Sequence, residues 1–147
     1  MARKTDLIAY CGTYCPDCPS YTHEVADLAK DLRSHLRRQK FDKYASMLAR
    51  MPAFKAFQHY EKGYELLGAM MKIRCKHGSC RTGGWGQSCK IKNCAIKNHF
   101  KGCWQCDSFE TCKTLNLLEP GRDAPHRKNL RKIRRIGTAA FVKTKTT

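Results

Sequence analysis

The chain has 147 residues and a mass of 16.9 kDa, and it carries ten cysteines, roughly one residue in fifteen, with 29 Lys plus Arg against 12 Asp plus Glu for a net charge of +17. A chain of this size buries about two-thirds of its unfolded surface as one domain, so it needs no disulfide staple for size alone and is too short for two full catalytic domains. With 41% hydrophobic and 28% charged residues, it is globular rather than disordered.

At the N-terminus only Leu7-Ile8-Ala9-Tyr10 stands between the first basic residues and Cys11, far short of the apolar core of a signal peptide. No stretch approaches the roughly 20 apolar residues of a membrane span. The expectation is a cytoplasmic protein without membrane association. In a reducing cytoplasm thiols stay free, so cysteines at this density argue for metal or redox chemistry before a disulfide framework.

From Thr22 to Arg38 the residues Val25, Leu28, Leu32 and Leu36 recur at helical spacing, with Glu24 and Asp27 early and Arg33, Arg37 and Arg38 late, matching the helix dipole. The pattern predicts a helix with that stripe facing the core. A second helix is expected from about Asp42 to Ala49, with Pro52 ending it or opening the next. A third follows, in which Phe54, Phe57, Tyr60 or Glu61, Tyr64, Leu67 and Met71 trace one stripe interrupted by Gly63 and Gly68. A packed core is the reading for these aromatics.

From Cys75 to Cys112 no apolar period survives, glycines 78, 83, 84, 86 and 102 punctuate the chain, and metal bonds would supply the missing organisation. Gly83-Gly84-Trp85-Gly86 reads as a turn between ligand pairs, Lys113 to Leu118 as a short helix and Glu119-Pro120-Gly121 as a turn. From about Arg127 to Phe141 a last helix turns Leu130, Ile133, Ile136 or Gly137 and Ala140 inward and Arg131, Lys132, Arg134 and Arg135 outward. The tail from Val142 to Thr147 is expected to fray.

The predicted class is mainly α: one small helical domain with an irregular, glycine-rich, cysteine-ligated metal-binding region. It divides into a first cysteine loop (1–21), a helical region (22–74), a cysteine-rich metal-binding block (75–112) and a basic C-terminal helical region (113–147).

The candidate ligands are Cys11, Cys15, Cys18, Cys75, Cys80, Cys89, Cys94, Cys103, Cys106 and Cys112. Cys15-Pro16-Asp17-Cys18 and Cys103-Trp104-Gln105-Cys106 are C-x-x-C pairs, whose spacing turns both sulfurs toward one ion. One partition places Cys89, Cys94, Cys103 and Cys106 on one ion, with Cys11, Cys15 and Cys18 drawing a fourth ligand from the later block. His77 or His99 would serve in a mixed site. Zinc is expected, and a [4Fe–4S] cluster on Cys11, Cys15 and Cys18 is the alternative. That C-x3-C-x2-C loop also resembles the cluster loop of radical S-adenosylmethionine enzymes, but their barrel of at least about 200 residues does not fit here.

Leu7-Ile8-Ala9-Tyr10-Cys11-Gly12 followed by Cys15, Cys18 and Pro19-Ser20-Tyr21, then Cys89-Lys90-Ile91-Lys92-Asn93-Cys94-Ala95, then Cys103-Trp104-Gln105-Cys106 with Phe109 and Cys112, resemble the uncharacterised family catalogued as domain of unknown function 3795. Asn129-Leu130, Ile133 and Ile136-Gly137 are similar to its C-terminal stretch. The resemblance implies a small cysteine-rich, metal-binding protein with no established activity. The sequence departs from the family at Cys75 and Cys80, which in the family form a tighter pair.

Residues 1–74 carry 13 basic and 8 acidic side chains, residues 75–112 carry 6 and 2, and residues 113–147 carry 10 and 2, so the charge is concentrated near the C-terminus. Arg127-Lys128, Arg131-Lys132 and Arg134-Arg135 fall on one side of the last helix, and Lys90, Lys92, Lys97 and Lys101 lie among Trp85, Phe100 and Trp104. The partner expected from this is nucleic acid or an acidic protein. Neither paired carboxylates nor a phosphate-cradling loop nor a serine nucleophile motif stands out, so a non-catalytic protein is expected.

Overall fold

The computed structural model describes residues 3–84, 88–118 and 124–146. Trp85 and Gly86 of the expected glycine turn, the turn at Glu119-Pro120-Gly121 and Thr147 lie outside these residues. The α-helices are α1 (Pro19–Thr22), α2 (Glu24–Arg38), α3 (Phe41–Leu48), α4 (Tyr60–Met70), α5 (Lys90–Lys97) and α6 (Pro125–Lys143), joined in places by short 3-10 turns. The mainly helical reading holds. Among the described residues there is no strand, and Ile8 and Tyr14 share a single antiparallel bridge.

The chain forms two compact units. One joins the first 22 residues to everything from Cys75 onward, and the other is the cysteine-free segment His23–Arg74.

In the first unit α6 is the spine. Pro125 opens it, where a missing N–H costs nothing, and Leu130 and Ile133 are buried along its inner stripe. Ile8, Tyr14, Ile133, Phe141 and Val142 make one apolar cluster, while Ile91, Phe109, Leu115 and Leu130 make another. Trp104 packs against both. The tail departs from its expected fraying: α6 runs on to Lys143, Val142 is buried, and Lys145 Nζ reaches Asp17 Oδ2 at 2.6 Å. Gly137, at φ +80°, kinks the helix. That kink re-aims the last turn, so Phe141 and Val142 become the inward residues while Ala140 is only half-buried.

The cysteine block is also more regular than its composition suggests. Ile91 and Ala95, four residues apart, are buried on one face of α5, a short helical period hidden between glycine-rich turns. Around it run 3-10 turns at Cys103–Gln105, Phe109–Thr111 and Leu115–Leu117.

In the second unit α2 carries acidic residues in its first turn and basic ones in its last, as its dipole favours. Its burial, however, corrects the expected stripe. Ala26 and Ala29 are buried, whereas Val25, Leu28 and Leu32 are exposed by 42%, 63% and 48%. The inward face carries Ala26 and Ala29, with Arg33 beside them where α2 approaches α4. Gly68 faces the guanidinium of Arg33, whose Nη1 lies 2.5 Å from where a Cβ would stand. The expected third helix splits in two: Pro52–His59 is 3-10, with Phe54 outside helical geometry, and only Tyr60–Met70 is α. Its aromatics form a chain rather than a sealed core. Phe41 meets Phe57 and Tyr60 at centroid distances of 6.0 and 5.8 Å, Tyr60 stacks on Tyr64 at 6.1 Å, and no residue of either helical segment is fully buried.

Candidate functional site

The first loop is shaped by its backbone. Ala9 N–H donates to Thr13 O at 2.8 Å and Gly12 N–H to Ala9 O at 3.0 Å, so the chain doubles back before Cys15. Gly12 sits at φ +88°, and a Cβ there would meet Leu130 at 2.9 Å and the His126 carbonyl at 3.0 Å. Asn129 Nδ2 donates to Gly12 O at 3.0 Å, which pins the loop to α6. The 3-10 turn Cys15–Asp17 closes with Cys18 N–H on Cys15 O at 2.9 Å, setting both thiols of this C-x-x-C pair on one short turn.

The segment holding Cys75 and Cys80 docks on that turn. Cys75 N–H donates to Ser20 O at 2.7 Å, and Arg81 Nε donates to Ile8 O at 3.0 Å while its guanidinium covers the Tyr10 ring at 4.3 Å. Gly84 lies over Cys80 so closely that a methyl group would stand 2.9 Å from its Cα. The thiol of Cys80 hydrogen-bonds Cys15, holding the Cys15 thiol below its ordinary range and raising that of Cys80. Cys18 and Cys75 stand near enough for their charge to raise Cys15, and burial raises Cys75 itself. Cys15, Cys18, Cys75 and Cys80 therefore form one group, drawn from positions some sixty residues apart in the chain.

A second group surrounds the apolar cluster of Ile91, Phe109, Leu115 and Leu130, against which Cys11, Cys89, Cys103 and Cys112 pack. Cys103 N–H donates to Tyr10 O at 2.8 Å, which brings Cys103 beside Cys11. Burial pushes the Cys103 thiol up to about 12, helped by the charge of Cys11, Cys112, Cys106 and Cys94. Burial likewise raises Cys11, opposed by its hydrogen bond to Thr13 Oγ1 at 3.3 Å. Cys106 closes the Cys103–Gln105 turn, and Cys94 is exposed on α5.

Cys11 stands near Cys80, Cys89 and Cys103, and Cys15 near Cys18, Cys75 and Cys80, so Cys80 and Cys11 link the two groups. His77 and His99 are both exposed. All ten cysteines are free thiols. Four-cysteine donor sets suit a closed tetrahedral zinc site, but among the described residues no three Cys, His, Asp or Glu side chains converge tightly enough to hold a metal ion.

Arg127 is the residue that spacing and charge misplaced. It was expected on the outer, basic face of the last helix, yet it is 2% exposed, donating from Nη2 to Cys112 O at 2.9 Å and to Asn116 Oδ1 at 2.8 Å. Arg131 makes two bonds to Glu110, at 2.6 and 2.7 Å, and Arg134 reaches Asp107 at 2.7 Å. Half of the expected basic face is thus engaged in holding the Cys103–Cys112 segment against α6. An arginine three residues before a buried leucine was the one available signal, and it does not separate a buried guanidinium from a solvated one.

No helix among the described residues is long and apolar enough to cross a membrane. A family profile described as "Protein of unknown function (DUF3795)" matches residues 7–117. No curated protein and no solved structure matches the chain.

Proposed function

The chain belongs to this uncharacterised family, and from that premise we propose that it is a cysteine-thiolate zinc protein of the cytoplasm whose metal joins its N-terminal loop to its later cysteine block. The observation that carries the reading is the hydrogen bond from Cys75 N–H to Ser20 O, which docks the segment holding Cys75 and Cys80 on the Cys15–Cys18 turn. Free thiols brought toward one another from remote segments suit metal ligation in a reducing compartment, where a disulfide framework is not expected. Cys15, Cys18, Cys75 and Cys80 would hold one ion, and Cys11, Cys89, Cys103 and Cys112 are the donors for a second, with Cys94 and Cys106 nearby. Zinc supplies tetrahedral thiolate bonds that replace missing apolar burial, so the role is structural rather than catalytic.

Metal analysis of protein purified without oxygen tests this. A colourless protein with about two zinc ions per chain is expected. A brown protein absorbing near 400 nm would replace zinc with a [4Fe–4S] cluster, and a metal-free protein that stays folded under chelator would end the metal reading altogether.

The basic surface enters the proposal only in reduced form. Lys128 and Arg135 remain exposed on α6, and nucleic acid or an acidic protein is their expected partner. Binding to a DNA or RNA oligonucleotide should then weaken steeply between about 50 and 200 mM salt, and no binding at low salt would remove this part.

A further inference from the structure

The cysteine-free unit carries a feature that metal binding does not use. Val25, Leu28, Leu32 and Leu36 form one face of α2 over about 16 Å, at 1.5 Å per residue, and the first three are exposed. Leu32 and Leu36 continue into an apolar groove of about 610 Å³ whose floor is Phe57, Tyr60, Tyr64 and Leu67. Contiguous exposed apolar surface of this kind marks an interaction site rather than ordinary scatter.

The charge around the groove selects its occupant. Among the described residues no carboxylate lines it and Lys62 does, although Asp42 and Glu61 stand near Tyr60 on its floor. Beside it Arg33 lies over the Tyr64 ring at 4.1 Å. Its Nη1 meets only the Met71 sulfur at 3.8 Å, its Nε is buried without a hydrogen-bond acceptor, and no ion pair among the described residues includes it. A half-buried guanidinium lacking a carboxylate is a costly arrangement that an incoming acid would relieve. We propose that this groove binds an amphipathic helix of a partner protein, its apolar face seated along Leu32 and Leu36 and a Glu or Asp paired with Arg33. A second copy of the chain is a poor occupant, because it brings a net charge of +17 against the same sign.

The test uses the full chain and fluorescent synthetic peptides about five helical turns long. One has a leucine stripe flanked by glutamates, one has the same stripe flanked by lysines, and one has the glutamates with serines in place of leucines. Saturable binding is expected for the first alone, read by anisotropy at physiological salt. Arg33→Gln should weaken it by roughly tenfold or more, as the loss of a charged hydrogen bond does, and Leu32→Asp should abolish it in a chain whose circular dichroism is unchanged. Should Leu32→Asp unfold the unit, Arg33→Gln and the lysine peptide still decide. Equal binding of all three peptides, absence of binding, an Arg33→Gln chain that binds as well as the parent, or a dimer by sedimentation that excludes the peptide would each overturn the proposal.

Discussion

Arg127 Nη2 donates to the carbonyl of Cys112, fifteen residues earlier in the chain, at 2.9 Å, and Arg127 is almost wholly buried. The same nitrogen serves Asn116 Oδ1, and Nε reaches toward Phe109 O at 3.5 Å. The positive charge is thus met by backbone and amide oxygens, which fixes the direction in which the last cysteine leaves its 3-10 turn.

Arg127→Met should therefore lower the stability of the protein by about 3 kcal/mol, because it leaves buried acceptors without a donor while keeping most of the side-chain volume. Arg127→Lys should recover only part of this, since a single ammonium nitrogen does not also supply the second donor that Nε directs at Phe109 O. Urea denaturation followed by circular dichroism measures both. A neutral effect of Arg127→Met would show that the loop finds its place without the clamp.

Gly12 is the second point where a single atom matters. At φ +88° with Leu130 and the His126 carbonyl at about 3 Å from any added Cβ, alanine would suffer both backbone strain and collision with the spine helix. Gly12→Ala should cost roughly 2–3 kcal/mol. The drop in thermal midpoint reports it, and an unchanged midpoint would mean that the loop before Cys15 does not need this conformation.

These two residues also mark how far the sequence can be read. Periodicity placed α2, α3 and α6 within a few residues, because a stripe every three or four positions is a local property. Which stripe faces inward is not local. Val25, Leu28 and Leu32 have the hydrophobicity of a core, yet Ala26 and Ala29 are the buried pair, since a close helix approach rewards small side chains over large ones. The helix α5 went unseen because its two inward residues, Ile91 and Ala95, span only one turn. Cysteine spacing identified C-x-x-C pairs, which are local too. It could not show that Cys103 comes beside Cys11, because that depends on Cys103 N–H meeting Tyr10 O from ninety-three residues away.

Asp27 offers a pH test confined to the cysteine-free unit. The guanidinium of Arg74 hydrogen-bonds its carboxylate and holds it below the ordinary carboxyl value of 3.8. A depressed folded value means that the stabilisation is present above the unfolded value and is lost as pH falls through the folded one. The carboxyl resonance of Asp27 should accordingly titrate below pH 3.8 in an NMR series. In the Arg74→Ala chain it should move upward, toward the ordinary value. Titration of Asp27 at the same pH in both chains would dissociate the pair in solution.

The grouping of thiols makes the sharpest distinction between the proposed sites. If Cys15, Cys18, Cys75 and Cys80 share an ion, Cys80→Ser should release about one zinc per chain and leave the other, and Cys112→Ser should release the other and leave the first. The spacing-based partition leaves the fourth ligand of Cys11, Cys15 and Cys18 open within the later block, so removing Cys75 tells whether it is that ligand. Cys75→Ser is thus an informative variant, because the contact of Cys75 with Ser20 brings it to the Cys15–Cys18 turn. Zinc counted against protein after exhaustive dialysis gives the answer directly. A competing chelator adds the energetic side, since loss of one thiolate from a four-thiolate site lowers zinc affinity by orders of magnitude while the remaining site keeps its own. Equal loss of both ions in every variant would mean that the two groups form one cooperative cluster, and full retention in Cys80→Ser would remove the Cys15–Cys80 pair from the coordination sphere.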